Sequence, residues 1–210
     1  TVRNARRFLP FALSSIRAQE RPVQSICAVV ADSRDGSREY LEQQADVSVL
    51  RQSGSGLAQA GNQTIRSLSH GLVAFLDCDD LWRPEKIRLQ LEAMSVFAVP
   101  GFCISNFRRV RAADPDTPEA VVPIDRREFR LGLTPSALLA DRSVFETVGE
   151  FDPELGSGCD TDWFSRALRS GVPCAVVGQV LMYKRLHESN LSADPLRNRR
   201  DMLRIIQKHR

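Results

Sequence analysis

The chain has 210 residues, 42% of them hydrophobic and 26% charged, an ordinary soluble mixture with enough material for one sizeable core. No apolar run approaches the roughly 20 residues that span a bilayer, and a net charge of +3, from 29 basic against 26 acidic residues, gives no basic field of the kind that nucleic acid selects. The five cysteines are odd in number and form no CxxC pair, which argues against a disulfide scaffold or a structural zinc site.

The basic, then apolar, start TVRNARRFLPFAL is too short and too interrupted for a signal peptide, so the expected location is the cytoplasm. Phe8, Ala12, Leu13 and Ile16 share one helical face, predicting a helix over 3–19 that either kinks at Pro10 or starts just before it. SICAVVA (25–31) reads as a buried strand, DSRDGS (32–37) as a turn and 38–45 as a short helix. A strand at 47–50, a loop at Gly54 and Gly56, and a helix to about Leu68 come next. LVAFLD (72–77) is another buried strand, and a helix begins near Pro84.

Residues 101–110 are strand-like, and 111–123, with three prolines, read as a surface loop. PSALLAD (135–141) is a strand; Ser143 and Glu146 have capping-box spacing. FDPELGSG is a turn leading into CDTDWFSRALRSG, a helix ended by Gly171. A strand over 173–185, with a break at Gly178, and a basic helix from Asp194 complete the chain. Cys27, Cys103 and Cys174 lie in apolar runs and read as core thiols. The alternation of strands and helices predicts an α/β fold with a mostly parallel central sheet flanked by helices, in a single domain. Such sheets bind ligands where strands end.

Asp77, Asp79 and Asp80 fall at such an edge. If the strand runs through Cys78, Asp77 and Asp79 point the same way, an arrangement suited to a hard divalent cation with phosphate oxygens in its shell. A solvated acidic turn and a helix cap by Asp80 remain open on this pattern alone. So does a phosphatase that attacks phosphate with an aspartate, for which Lys184 could be the required lysine. A dinucleotide site is weaker, because GSGLAQAG lacks the GxGxxG spacing; that loop could still cradle phosphate through backbone N–H groups.

Taken together, seven segments in order resemble the inverting family 2 glycosyltransferases, which have the GT-A nucleotide-diphospho-sugar transferase fold. They are NARRFLPFALSSIRAQ (4–19), ICAVVADSRDGS, GLAQAGNQTIRSLSHG, FLDCDDLWRPEKIRLQ, PSALLADRSVFETVGEFDPEL, CDTDWFSRALRSG and YKRLHESNLS. The fourth is very close to the family's FLDxDDxWxPxKLxxQ. The resemblance spans nearly all of residues 1–210 as one glycosyltransferase domain. About 1–100 would be its nucleotide-binding half and about 101–210 its acceptor-side half.

The resemblance implies transfer of a sugar from a nucleotide diphosphate sugar, a UDP-sugar first of all, to a hydroxyl of a glycan or other acceptor, as in polysaccharide biosynthesis. Asp32 would meet the base, with Asp35 as the other match; Asn62, Asp77, Asp79 and His187 would line the nucleotide-sugar site. Asp79, of the DXD motif, would ligate Mg²⁺ or Mn²⁺, and Asp80 would bond nearby backbone. Asp160 would be the catalytic base, though by itself it also suits a helix cap. Cys159, where the family has glutamate, and Asp162 and Trp163 would approach the acceptor; packing is equally open for Trp163, and an ordering role for His187.

A second departure lies at the start. The family's first strand is expected ahead of Thr1, so TVRN would be the turn after a strand missing from the chain. That and Cys159 motivate a rival reading, a catalytically weak nucleotide-sugar-binding or structural protein of the same fold. For the last helix, with Leu196, Met202, Leu203, Ile205 and Ile206, ordinary packing and contact with the inner face of a membrane are both open. Oligomeric state is not legible.

Overall fold

The computed structural model describes residues 1–68, 71–114, 117–124, 129–187 and 195–208; side chains at 112–120 and 195–198 are left aside. The end of the closing signature, 188–192, therefore lies outside the described residues.

Helix α1 (Leu9–Arg17) has Pro10 in its first turn, where no backbone donor is lost, and buries Leu9, Ala12 and Leu13. Of the two expectations for this segment, the start just before Pro10 holds. β1 (Ile26–Val30), α2 (Ser37–Glu42) and β2 (Val47–Arg51) form a parallel unit with Ile26 opposite Val47. Val2 adds a single parallel bridge to Val30: its N–H donates to Val29 O and its carbonyl accepts from Ala31, both at 2.9 Å. A residue expected in a turn thus supplies one rung beside β1. α3 (Leu57–Ser67) follows two glycines with positive φ, Gly54 at 83° and Gly56 at 89°.

The second sheet contains β3 (Leu72–Ala74), β4 (Leu81–Trp82), β5 (Phe102–Asp114), β6 (Thr117–Pro123), β7 (Arg130–Leu131), β8 (Leu138–Asp141) and β9 (Cys174–Arg185). Its order is β3-β8-β5-β9-β4, with β6 and β7 also on β5. Among the described residues only β5–β9 is parallel within it; the other pairings are antiparallel. The sheet is mixed, not mostly parallel. The alternation that suggests parallel strands ends after α4 (Lys86–Met94), and β6, β7 and β8 return along one edge of β5 instead.

The expected loop at 111–123 is largely strand, because β6 satisfies its backbone against β5, with Val110 opposite Pro123 and Arg111 opposite Val122. The expected break at Gly178 is a bulge: register slips between Ser105–Val177 and Asn106–Val180, and Asn106 Nδ2 donates to Gly178 O at 2.7 Å. Gly132 is required by close approach, since a Cβ there would lie 2.2 Å from Ser105 O. Before β8, Pro135–Ala137 is a 3₁₀ turn rather than strand. The capping box does not form in α5 (Val144–Val148): Ser143 makes no side-chain cap bond, and Glu146 pairs with Arg142.

Successive residues of β5 face opposite layers. Phe102 and Ile104 join Phe145, Phe151, Trp163 and Phe164, whereas Cys103 joins Trp82, Ile87, Phe107 and Met182. A 3₁₀ stretch (Pro153–Gly158) runs into α6 (Cys159–Arg169), and α7 (Pro195–Lys208) packs against that stretch.

Candidate active site

The aspartates do not sit on a strand. β3 stops at Ala74, and Asp77–Asp80 is a turn closed by Asp80 N–H donating to Asp77 O at 3.0 Å. Asp77 N–H is held by Ser136 Oγ at 3.0 Å, from the 3₁₀ turn before β8. The carboxylates of Asp77, Asp79 and Asp80 converge, each offering an oxygen within 4.8 Å of the others. A turn, not strand alternation, gathers them.

β9 delivers the groups that answer this charge. Its pairing with β4, Leu81 opposite Tyr183, sets Lys184 and Arg185 beside the turn. Asp80 is buried, and its Oδ1 accepts from Arg185 N–H at 3.1 Å, the local backbone bond expected of it. Oδ2 has no hydrogen-bond partner among the described residues. Burial first, then Asp77 and Asp79, push this carboxyl well above the usual range, against the pull of Lys184.

His187 Nε2 lies 2.8 Å from Asp79 Oδ2, and its ring stacks on Phe8 at 4.7 Å between centroids. Burial raises the Asp79 carboxyl, but the His187 hydrogen bond and charge, with Lys184 behind them, outweigh it and hold Asp79 below its ordinary value. Lys184, absent from the residues that the resemblance assigns to the site, belongs to it. Burial lowers its ammonium, yet Asp80, Asp77, Asp79 and Asp160 together raise it above the normal lysine range. One signal was available: four aspartates brought to one site need a cation, and YKRLH holds one of the chain's three lysines.

Asp160 belongs to the same neighbourhood. It opens α6, where its Oδ1 accepts from Thr161 N–H at 2.7 Å. Burial raises its carboxyl; Thr161 and Lys184 oppose this, and Asp77 adds to it. Asp77, Asp79, Asp160, Lys184 and His187 are therefore gathered at one place by the end of β3, the end of β9 and the first turn of α6.

The remaining candidates lie elsewhere. Asp32, just beyond β1, is almost fully exposed, 3.8 Å from Arg51. Asp35 instead accepts from Arg6 N–H, Ser37 N–H and Ser37 Oγ, fixing the turn, so Asp32 is the more accessible of the two. Asn62 is buried: its Nδ2 donates to Phe151 O at 2.8 Å and its Oδ1 accepts from Phe151 N–H at 2.9 Å. Its amide clamps the Phe151 segment onto α3.

The three acceptor-side candidates are core residues, because α6 turns them inward. Cys159 is buried, its thiol pushed up to about 12 by desolvation and Asp160. Asp162 is fully buried, 2.8 Å from Arg166 and 3.2 Å from Lys208. Trp163 is enclosed by Phe102, Phe145, Phe151 and Phe164, and its Nε1 donates to Gly149 O at 3.0 Å. For Trp163 the packing alternative is the observed one.

The donor set fits a divalent cation. Three converging carboxylates are hard oxygen ligands, suited to Mg²⁺ or Mn²⁺ and not to soft-ligand metals. The unpartnered Oδ2 of Asp80 points to an oxygen site not completed by protein donors alone.

Sequence and structure comparisons bear on this arrangement. The family model for glycosyl transferase family 2 matches residues 1–128. A stretch of 96 residues is 33% identical to TuaG of Bacillus subtilis (strain 168), provisionally named a teichuronic acid biosynthesis glycosyltransferase; it covers 43% of this chain and 38% of TuaG. Another of 103 residues is 32% identical to the uncharacterized glycosyltransferase alr2836 of Nostoc sp., covering 47% of this chain and 32% of that protein. The chain thus spans about a third of the length of these curated relatives.

Among solved structures, the mannosyltransferase PcManGT of Pyrobaculum calidifontis, in complex with GDP-Man and Mn²⁺, superposes with a TM-score of 0.71 at 16% identity. The match covers 99% of this chain and 61% of that one. S. aureus TarS superposes with a TM-score of 0.69 at 17% identity, covering 97% and 38%. At these identities the likeness speaks to a common fold.

Proposed function

Because this chain belongs to glycosyl transferase family 2, we propose that it transfers a sugar, with inversion, from a UDP-sugar to a hydroxyl of a glycan acceptor. The observation that carries the reading is the meeting of Asp160 with the Asp77–Asp80 turn around Lys184. It supplies a base and a diphosphate-binding end in one site. Residues of about 1–100 form the nucleotide half in this reading, and about 101–210 the acceptor half.

Asp160 takes the proton of the acceptor hydroxyl as that oxygen bonds to the anomeric carbon from the face opposite the diphosphate. The bond from that carbon to the diphosphate oxygen breaks, and its electron pair leaves with the diphosphate. Burial, by raising the Asp160 carboxyl, makes the carboxylate a stronger base. Asp79, Asp77 and Asp80 are the residues that would hold Mg²⁺ or Mn²⁺, which when bound supplies Lewis-acid stabilisation of the departing diphosphate. His187 fixes the orientation of Asp79, and Lys184 holds positive charge beside the same oxygens. Asp32 meets the nucleotide base.

A phosphatase would also bring Lys184 to the aspartates, so that proximity does not separate the two readings; the family match favours sugar transfer. The test is a thermal-shift screen of nucleotide sugars with and without Mn²⁺, followed by transfer assays on Asp160→Asn. The variant should keep the UDP-sugar shift and lose about 10²- to 10⁴-fold in transfer, the range for a positioned base. Equal transfer by both forms would overturn the role of Asp160. Binding without turnover on any acceptor would favour the weak or structural protein.

A further inference from the structure

α7 is two-faced in a way that docking on its own domain does not explain. Asp201, Ile205 and Lys208 face inward: Asp201 Oδ2 accepts from Ser157 N–H at 3.0 Å and Ser157 Oγ at 2.6 Å, and Ile205 is buried. Lys208 reaches Asp152 at 2.5 Å and Asp162 at 3.2 Å. A Cβ at Gly158 would lie 2.9 Å from Ile205 Cδ1, so the helix is seated tightly on the stretch that leads into Asp160.

At 100° per residue, Arg199, Met202, Leu203 and Ile206 stand at i, i+3, i+4 and i+7 on the opposite side. The three apolar members are 48%, 53% and 46% exposed, and Arg199 and Arg200 are exposed beside them; Arg204, on the flank, donates to Glu154 O at 3.2 Å. The one acidic side chain among the described side chains of α7, Asp201, is turned inward.

We infer that this outward face of α7 binds the surface of an anionic lipid bilayer, lying in the interface with Met202, Leu203 and Ile206 in the acyl boundary and the arginines at the headgroups. Apolar side chains ringed by arginine are the pattern of an interfacial helix, and anionic headgroups complement the arginine fringe. Three apolar side chains fall far short of the roughly 800 Å² per partner of a stable protein interface, and a second copy would set like charges against one another. Among the described residues no helix is long and apolar enough to cross a membrane; the contact inferred is that of a helix lying in the interface. The inference does not rest on the transfer reaction.

The test is co-sedimentation of the 210-residue chain with vesicles of phosphatidylcholine, with and without phosphatidylglycerol. The chain should bind the anionic vesicles and release them at high salt. Met202→Ser/Leu203→Ser/Ile206→Ser and Arg199→Glu/Arg200→Glu should each bind more than about tenfold less, with unchanged thermal midpoints because all five positions are exposed. Failure of the unaltered chain to bind, or equal binding by the variants, overturns the inference. So does a dimer in solution that the triple serine variant converts to monomer, which would assign the face to a second copy.

Discussion

Lys86, fully buried, and Lys184, half-buried, lie against the same mixed sheet, and their surroundings move them in opposite directions. Beneath α4, Lys86 meets Gln90 Oε1 at 2.7 Å, Leu138 O at 3.3 Å and the Trp82 ring at 4.3 Å. Those are neutral partners, so burial depresses its ammonium to about 7. Near the end of β9, Lys184 faces four aspartates and is raised instead. One site removes charge from the interior and the other collects it. Only the second has the makings of chemistry, because a cluster of opposed charges is what a phosphate group or a cation can enter.

The largest test of this contrast is Lys184→Met, which removes the lysine that faces all four carboxylates. A loss of about 3 kcal/mol at pH 7 is expected, the low end for breaking a buried charge arrangement because Lys184 is only half-buried. Urea denaturation reads it, and Mn²⁺ should recover most of the loss. An unchanged midpoint without metal would mean that Lys184 does not balance the aspartates.

Asn62→Ala is the uncharged control. It strands the Phe151 N–H and C=O and should cost about 1–3 kcal/mol. Since no titration is involved, the loss should be the same at pH 6 and pH 9. A pH-dependent loss would show coupling to the charged cluster.

Lys86→Met is read in the pH slope, with its smallest effect near pH 7. With a folded value near 7, the unfolded chain holds more protons between there and the ordinary lysine range. Stability therefore rises with pH across that window, by up to about 1.4 kcal/mol per pH unit. The methionine variant should lose that slope. For Lys184 the sign is reversed: its contribution is complete below the ordinary lysine value and is lost as pH rises through the elevated one. Parallel slopes for the two variants would erase the distinction between the sites.

Most elements were legible because apolar periodicity is local. The apolar helical face before Gln19, the strand within 25–31 and the stop at Gly171 follow from a few adjacent residues. The misjudged elements depended on distant partners. Residues 111–123 read as loop because prolines and acids disfavour a strand, yet β5 offered them an edge. The resemblance set Cys159, Asp162 and Trp163 towards the acceptor, and all three are buried on the inner face of α6.

The amino-acid sequence by itself determined the family, the order of elements and the identity of the carboxylates, since motif spacing is written along the chain. Only the tertiary structure decided that a turn gathers Asp77, Asp79 and Asp80, and that β9 brings Lys184 and His187 to them. His187 and Asp79 are 108 residues apart in sequence. Electrostatic forces act over ångströms in space, so which charges balance one another is settled by strand register and burial, neither of which a linear pattern contains.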